Sequence, residues 1–189
     1  MALASLVVVL ALARGAAAPA DAAPTPEVRA RVRALLGSMH GPVSPDHFRE
    51  IGPGAETALA EFARANDFPT RRIRALEALA GLGGARAEAV HREVAQDATA
   101  PSPVRRGAVR GLGRLVAPGD APRALRPFLE TDRDPGVRAT AAEALAERSP
   151  RAGCARVRDQ VRREPDPSRF GRALELCQPG GTDAAPSGG

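Results

Sequence analysis

A nine-residue segment recurs along this chain at a fixed distance, and the recurrence limits the fold to a stack of similar units. Residues 71–79, 104–112 and 137–145 align without gaps at a period of 33, and residues 169–177 follow as a fourth copy after 32. Each copy comes directly after a turn signal that contains proline, which suits the first position of a helix. Because one helical hairpin cannot bury its own apolar stripe, repeats of this length stack on their neighbours.

The apolar residues follow helical spacing throughout the repeated region, so the predicted fold class is all-α. The repeated segments form the second helix of each hairpin. The first helices are predicted upstream, at residues 55–65, 85–96, 121–130 and 152–163. The repeat domain then covers 54–178, in units of 54–83, 84–116, 117–149 and 150–178. Residues 21–53 are predicted to hold a linker, an N-terminal capping helix at 27–38 and a short helix near Asp46.

The best preserved copy carries a recognisable pattern. Residues 132–145 read D-x-x-P-x-V-R-x-x-A-x-x-A-L, which resembles the second helix of HEAT repeats, particularly the short bacterial kind. The resemblance extends over about 54–178 and implies a right-handed α-solenoid of about four hairpins. It implies an interaction scaffold only in general terms, because one solenoid fold serves many functions.

The N-terminal residues have the composition of an export signal. An uninterrupted apolar run, LASLVVVLALA, is followed by the small-x-small sequence Ala18-Pro19-Ala20. The run is shorter than the roughly 20 residues that span a bilayer. We therefore expect residues 1–20 to be a signal peptide, the protein to be periplasmic or extracellular without a transmembrane anchor in the mature chain, and 179–189 to be a disordered tail.

The chain is basic, but its composition argues against nucleic acid as the partner. The net charge is +5, all 27 basic residues are arginine, and Phe is the only aromatic residue type. Acidic residues are interspersed with the arginines, and sequence-tolerant single-strand binding normally uses aromatic platforms. Binding to nucleic acid or to another anionic surface is retained as an alternative only.

Cys154 and Cys177 lie at equal distances from the turn of the last hairpin, near 165–167. Antiparallel helices joined there would bring both cysteines to the far end of the hairpin, where a disulfide is predicted if the compartment is oxidising. Two free cysteines, a redox pair and a metal site are the alternatives. Redox sites usually have C-x-x-C spacing and zinc sites need three or four ligands, and the sequence shows neither.

Equivalent positions of the second helices also carry charge. Glu77, Arg110 and Glu143 share one repeat position, Arg114 and Glu147 share another, and these residues are predicted to pair between repeats. A third position holds Arg72, Arg105 and Arg138, which either form a basic stripe for an anionic partner or bond the Asp or carbonyl groups of the turns. The second interpretation is favoured by the resemblance.

No arrangement of residues in the sequence points to catalysis, to a cofactor or to a metal site. The histidines are His40, His47 and His91, with the first two flanking a Gly/Pro/Ser loop and lacking clear companion ligands. No P-loop or dinucleotide-binding motif occurs, and the Gly111-Leu112-Gly113 segment is interpreted as a site of close helix packing or as a helix end.

The leading hypothesis is a noncatalytic scaffold of the cell envelope that binds a protein or peptide on the face made by the second helices. The exposed candidates for contact are Arg74, Arg106, Arg110 and Arg114. An accessory lyase-like enzyme or chaperone is the second hypothesis, and an anionic-surface or nucleic-acid binder is the third.

Overall fold

A computed structural model describes residues 23–38 and 44–178. Within these ranges the chain is helical and contains no strand. The expected signal peptide, His40 and the tail at 179–189 lie outside the described residues. The helices in chain order are α1 Pro26–Leu36, α2 Pro45–Ile51, α3 Ala55–Arg64, α4 Pro69–Leu82, α5 Gly84–Gln96, α6 Ser102–Leu115, α7 Ala121–Glu130, α8 Pro135–Arg148, α9 Pro150–Val161 and α10 Gly171–Leu176, the last preceded by a 3-10 turn at Pro167–Phe170.

Four hairpins stack in chain order, as the repeat predicts. Each first helix, α3, α5, α7 or α9, packs against the second helix that follows it, and the second helices α4, α6, α8 and α10 form one continuous layer. The first helices contact one another less than the second helices do. A stack whose second helices are the more closely spaced curves with those helices on the inner side, as in other α-solenoids. None of the helices in the described ranges is long and apolar enough to cross a membrane.

The equivalent positions of the second helices form the core. Leu79, Leu112 and Leu145 are all fully buried, one in each of α4, α6 and α8. The positions four and eight residues before each leucine are also buried in α6 and α8, where Val and Ala occupy them. The apolar stripe of each second helix is thus covered by the neighbouring hairpin, which confirms the predicted stacking.

The second helix of the last hairpin, α10, has its buried positions shifted relative to the gapless alignment. Phe170 is fully buried although the gapless alignment assigns this place to Arg169, which is exposed. Phe170 ends the 3-10 turn and Ala173 follows three residues later in α10, and residues three apart lie on the same side of a helix. Phe170 and Ala173 therefore fill the places that Val137 and Ala141 fill in α8, and the fourth repeat is one residue shorter as a result.

Arginines placed directly after the turns join successive hairpins. The Nε atoms of Arg72 and Arg105 donate to the carbonyls of Ala63 and Ala95, at 3.0 and 3.1 Å. Arg105 also forms an ion pair with Asp132 of the next turn. In the next repeat, Arg138 donates to the Asp132 carbonyl at 2.8 Å and pairs with Glu164 in the turn beyond. These arginines are used inside the stack, so the basic-stripe interpretation is wrong and the turn-bonding one is confirmed.

Replacing Arg138 by Ala is expected to destabilise the protein strongly. Its Nη2 lies 2.5 Å from Oε2 of Glu164, whose side chain is only 2% exposed. Loss of one partner leaves the other charge buried and unpaired, which costs about 3 kcal/mol or more. Urea unfolding followed by circular dichroism measures the change. Arg64→Ala is the matched control because its pair with Glu93 is about half exposed, where such pairs contribute about 0 to 1 kcal/mol. An equal decrease in the free energy of unfolding in the two variants would contradict the role given to the buried Arg138–Glu164 pair.

The N-terminal helices α1 and α2 cover the open side of the first hairpin. Arg29 of α1 pairs with Glu61 of α3 at 2.7 Å, and Phe48 of α2 is buried. An ideal Cβ built on Gly81 of α4 would lie 2.3 Å from Cγ of Pro45. The close approach of α2 to α4 therefore depends on this glycine, and the capping role predicted for this segment is consistent with the packing.

Candidate interaction surface

The exposed sides of α4, α6 and α8 form one surface, which we call the second-helix face. Its charged residues come from three rows, one on each helix. The row on α6 is basic, with Arg106, Arg110 and Arg114 at intervals of four residues, so that all three lie on one side of the helix. The rows on both sides of it contain glutamates, which are Glu77 on α4 and Glu143 and Glu147 on α8.

Two of the four arginines proposed for partner contact have structural roles. Arg74 is half-buried, and its Nη1 donates to the carbonyls of Leu36 and Ser38 at the end of α1. It holds the N-terminal cap and is not an exposed contact residue, which corrects the expectation for this position. Arg106 is exposed, and its Nε donates at 3.3 Å to Oγ1 of Thr140 on α8.

The other two, Arg110 and Arg114, are exposed and have no ion pair. No carboxylate of the residues that the structure describes lies within 4 Å of either guanidinium. The predicted pairs with Glu77, Glu143 and Glu147 are therefore absent, and the pairs between repeats lie at the turns instead. Residues that share a repeat position lie on adjacent helices, whose axes are about 8 to 10 Å apart. The arginine and glutamate side chains of the predicted pairs extend outward from the surface and do not bridge this distance.

A groove between α6 and α8 lies beside these two arginines. It has a volume of about 220 Å³ and is lined by Arg110, Gly113, Arg114, Ala144, Glu147 and Arg148. Gly113 and Ala144 bring the helices together, since a Cβ built on Gly113 would lie 2.7 Å from the Ala144 Cβ. This confirms the interpretation of Gly113 as a close-packing residue. Arg148 is fixed beside the groove because its Nε donates to the Val116 carbonyl at 2.9 Å.

A buried histidine lies on the other side of the α6 row. His91 of α5 is fully buried, and its Nδ1 lies 2.7 Å from the Ala87 carbonyl. Nδ1 therefore donates, and Nε2 has no hydrogen-bond partner in the described part of the chain. A Cβ on Gly111 would lie 2.1 Å from Nε2. The imidazole ring occupies the space that a side chain at position 111 would need, so Gly111 is also a close-packing residue.

The neighbouring hairpins fill the equivalent places differently. The buried positions of α5 match those of α3 and α7 when His91 is aligned with Leu59 and Leu125. Gly111 corresponds to Ala78 and Ala144, at the 33-residue period. Hairpin two thus has a His/Gly combination where its neighbours have Leu and Ala. The repeat pattern does not reveal this combination, because the turn after α5 holds one extra residue, which hides the alignment of the first helices.

The His91 ring lines a small cavity of about 10 Å³ between α4 and α6, together with Glu77, Arg110 and Arg114. Such a volume holds about one water molecule. Burial lowers the pKa of His91 below its ordinary value and outweighs the carbonyls of Ala87 and Leu76, which raise it; the charge of Arg114 acts in the same direction as burial. The folded protein therefore keeps this ring neutral more firmly than the unfolded chain does.

We expect the folded protein to lose stability as the pH falls through the ordinary titration range of histidine. The unfolded chain takes up a proton at His91 near about pH 6.5, and the folded state resists that proton because its pKa there is lower. The contribution of His91 to the free energy of unfolding is therefore greatest above that pH and declines below it. Urea unfolding at several pH values tests this. His91→Leu should flatten the dependence between about pH 7 and pH 5; an unaltered slope in His91→Leu would exclude His91 as the cause.

The two cysteines are joined in the structure. The Cα atoms of Cys154 in α9 and Cys177 after α10 are 5.4 Å apart and the sulfurs are bonded, as predicted from their positions about the turn. Nη2 of Arg158 donates at 2.6 Å to the Cys177 carbonyl. The two helices of the last hairpin are thus fastened at the end away from their turn. Among the described residues, no group of three or more His, Cys, Asp or Glu side chains is placed to hold a metal ion.

Comparison with known proteins identifies the repeat. The family model described as HEAT repeats matches residues 56–146 and again 95–176, which together cover more than half of the chain. No curated protein matches the chain, and no solved structure does. The family match begins at the first hairpin and ends at the disulfide, as does the stack of helical pairs. The chain belongs to the HEAT-repeat family.

Proposed function

We propose that the protein is a noncatalytic HEAT-repeat scaffold of the cell envelope, which binds a protein or peptide partner through its second-helix face. HEAT repeats are scaffolds that commonly mediate protein interactions, and solenoids do so through extended curved surfaces. The observation that carries the proposal is the contrast between two sets of arginines. Those at the turns are bonded within the stack, whereas Arg110 and Arg114 are exposed on the second-helix face and form no ion pair with any residue of 23–38 or 44–178.

The envelope location is supported by the Cys154–Cys177 disulfide and by the apolar run in residues 1–20. Structural disulfides persist in oxidising compartments and are rare in the cytosol of most organisms. Export would also allow the last hairpin to be oxidised after folding.

The mixed charge of the second-helix face favours a protein partner over a polyanion. Glu77, Glu143 and Glu147 flank the basic row on both sides. A surface with continuous negative charge, such as a nucleic acid or an acidic membrane, would bring its charges against these carboxylates as well as against the arginines. A protein segment can place its charges individually and so match both signs.

Crosslinking in intact cells tests the proposal. The full-length chain with an affinity tag is compared with an Arg110→Glu/Arg114→Glu variant, and crosslinked proteins from envelope and cytosolic fractions are identified by mass spectrometry. We expect one or a few proteins, recovered from the envelope fraction and lost in the variant. Recovery of the chain in the cytosol, or a partner that the variant retains fully, would contradict the proposal.

A further inference from the structure

Three guanidinium groups line the groove between α6 and α8, and the described residues give none of them a carboxylate partner. Arg110 and Arg114 extend from α6, one helical turn apart, and Arg148 extends from α8. Arg148 uses its Nε to bond the Val116 carbonyl, which fixes its position. Like charges that share one groove repel each other, and a bound anion would remove that repulsion.

The groove is smaller than a pocket for a drug-sized molecule and has room for an amino-acid side chain. Its volume of about 220 Å³ is below the roughly 300 to 1,000 Å³ of pockets that enclose drug-sized ligands. The groove is open because its floor consists of Gly113 and Ala144. Guanidinium groups bind carboxylates in paired hydrogen bonds, which are among the stronger ones in proteins.

Glutamates of the protein itself restrict which anions can bind in the groove. Glu147 lines the same groove, and Glu77 and Glu143 lie in the flanking rows. These glutamates would repel a ligand that is negative along its whole length. A single acidic residue between neutral or basic neighbours meets the arginines without that repulsion, and its basic neighbours meet the glutamates.

We propose that this groove binds one Asp or Glu side chain of a partner segment in which acidic residues alternate with neutral and basic ones, through Arg110, Arg114 and Arg148. The inference rests on the proposed function and specifies the chemistry of the partner. The carboxylate lies over Gly113 and Ala144, and the basic neighbours of the acidic residue contact Glu77 or Glu143, outside the groove. Specificity comes from the alternation of charge across three adjacent helices.

Fluorescence anisotropy with defined peptides tests this. The probe is a fluorescein-labelled peptide that repeats Glu-Ala-Lys, and the comparison peptide repeats Gln-Ala-Lys. We expect the Glu peptide to bind at least about tenfold more tightly, the value for two or three exposed ion pairs together. A labelled oligothymidylate serves as the polyanion and should bind more weakly than the Glu peptide.

Variants of the chain separate a local site from net charge. Arg114→Glu should weaken binding of the Glu peptide by about tenfold. Arg126→Glu is the matched control, because Arg126 is an exposed arginine on α7, away from the groove, and this variant should bind like the wild type. Glu147→Gln should strengthen binding. Circular dichroism confirms that each variant is folded.

The proposal is overturned if the Gln peptide binds as tightly as the Glu peptide, or if Arg126→Glu weakens binding as much as Arg114→Glu does. Tighter binding of oligothymidylate would assign the surface to polyanions instead. Failure here is distinguishable from failure of the proposed function. A crosslinked partner that remains bound to Arg114→Glu would leave the scaffold in place and remove only the acidic-segment site.

Discussion

Reducing the Cys154–Cys177 disulfide is expected to lower the free energy of unfolding by about 3 kcal/mol, the value for closing a loop of this length in the chain-entropy model. The bridge spans 23 residues and fastens the ends of α9 and α10. Among the described residues, the last hairpin packs only on the side of α7 and α8, so the disulfide supplements packing from one side. Because repeats in a solenoid depend mainly on their neighbours, the loss should appear first in residues 150–178. Urea unfolding gives the total change, and hydrogen exchange by mass spectrometry locates it.

A cysteine-free variant controls for effects of the reductant. Cys154→Ser/Cys177→Ser should unfold at the same urea concentration as the reduced wild type and should not respond to reductant. An unchanged unfolding midpoint on reduction of the wild type would show that the bridge does not stabilise the cap. Mass spectrometry of the protein isolated from cells under non-reducing conditions tests whether the bridge forms there, since alkylation of both thiols would eliminate it.

Replacing Gly111 by Ala is expected to destabilise the protein when His91 is present and to stabilise it when His91 is replaced by Leu. The added Cβ would lie 2.1 Å from the His91 Nε2 in the wild type, and overpacking of this kind costs about 1 to 3 kcal/mol. The His91→Leu/Gly111→Ala variant gives hairpin two the Leu and Ala that its neighbouring hairpins have at these positions. It removes an unpaired buried nitrogen and a glycine from a helix interior, which together stabilise by about 1 to 3 kcal/mol.

Gly107 is the control for this reversal, since it lies on the same helix but has room. A Cβ there would make ordinary contacts with the side chains of Ile73, at 3.6 Å, and Leu76, at 4.0 Å. Gly107→Ala should stabilise by up to about 1 kcal/mol, with or without His91. If Gly111→Ala has the same sign in both backgrounds, the ring does not constrain that position and the packing described for hairpin two is wrong.

The repeat architecture was predictable because one period fixes many positions at once. Leu79, Leu112 and Leu145 recur at 33 residues, and any fold that buries one must bury the others in neighbouring layers. The helix boundaries followed from prolines at the turns and from the spacing of apolar residues. The pairing of the cysteines followed from the same geometry, because the turn of the last hairpin lies midway between them.

The surface was harder to predict, because side-chain contacts on a helix face depend on distances that the repeat does not fix. Charge at equivalent positions predicted pairs such as Glu77 with Arg110, but these side chains extend outward and form no ion pair in the part of the chain that the structure describes. Arg74 was taken for a contact residue because the sequence does not show that α1 ends beside it. The sequence did not indicate Arg148 as a contact residue, because Arg148 lies near Arg114 only through the packing of α6 against α8.

Hydrogen exchange of the protein with and without its crosslinked partner tests most directly whether the second-helix face is the binding surface. We expect the partner to slow exchange in Ser102–Leu115 and Pro135–Arg148, the helices that line the groove, and to leave the first helices Gly84–Gln96 and Ala121–Glu130 unchanged. Protection confined to those first helices, with none in α6 or α8, would contradict the account.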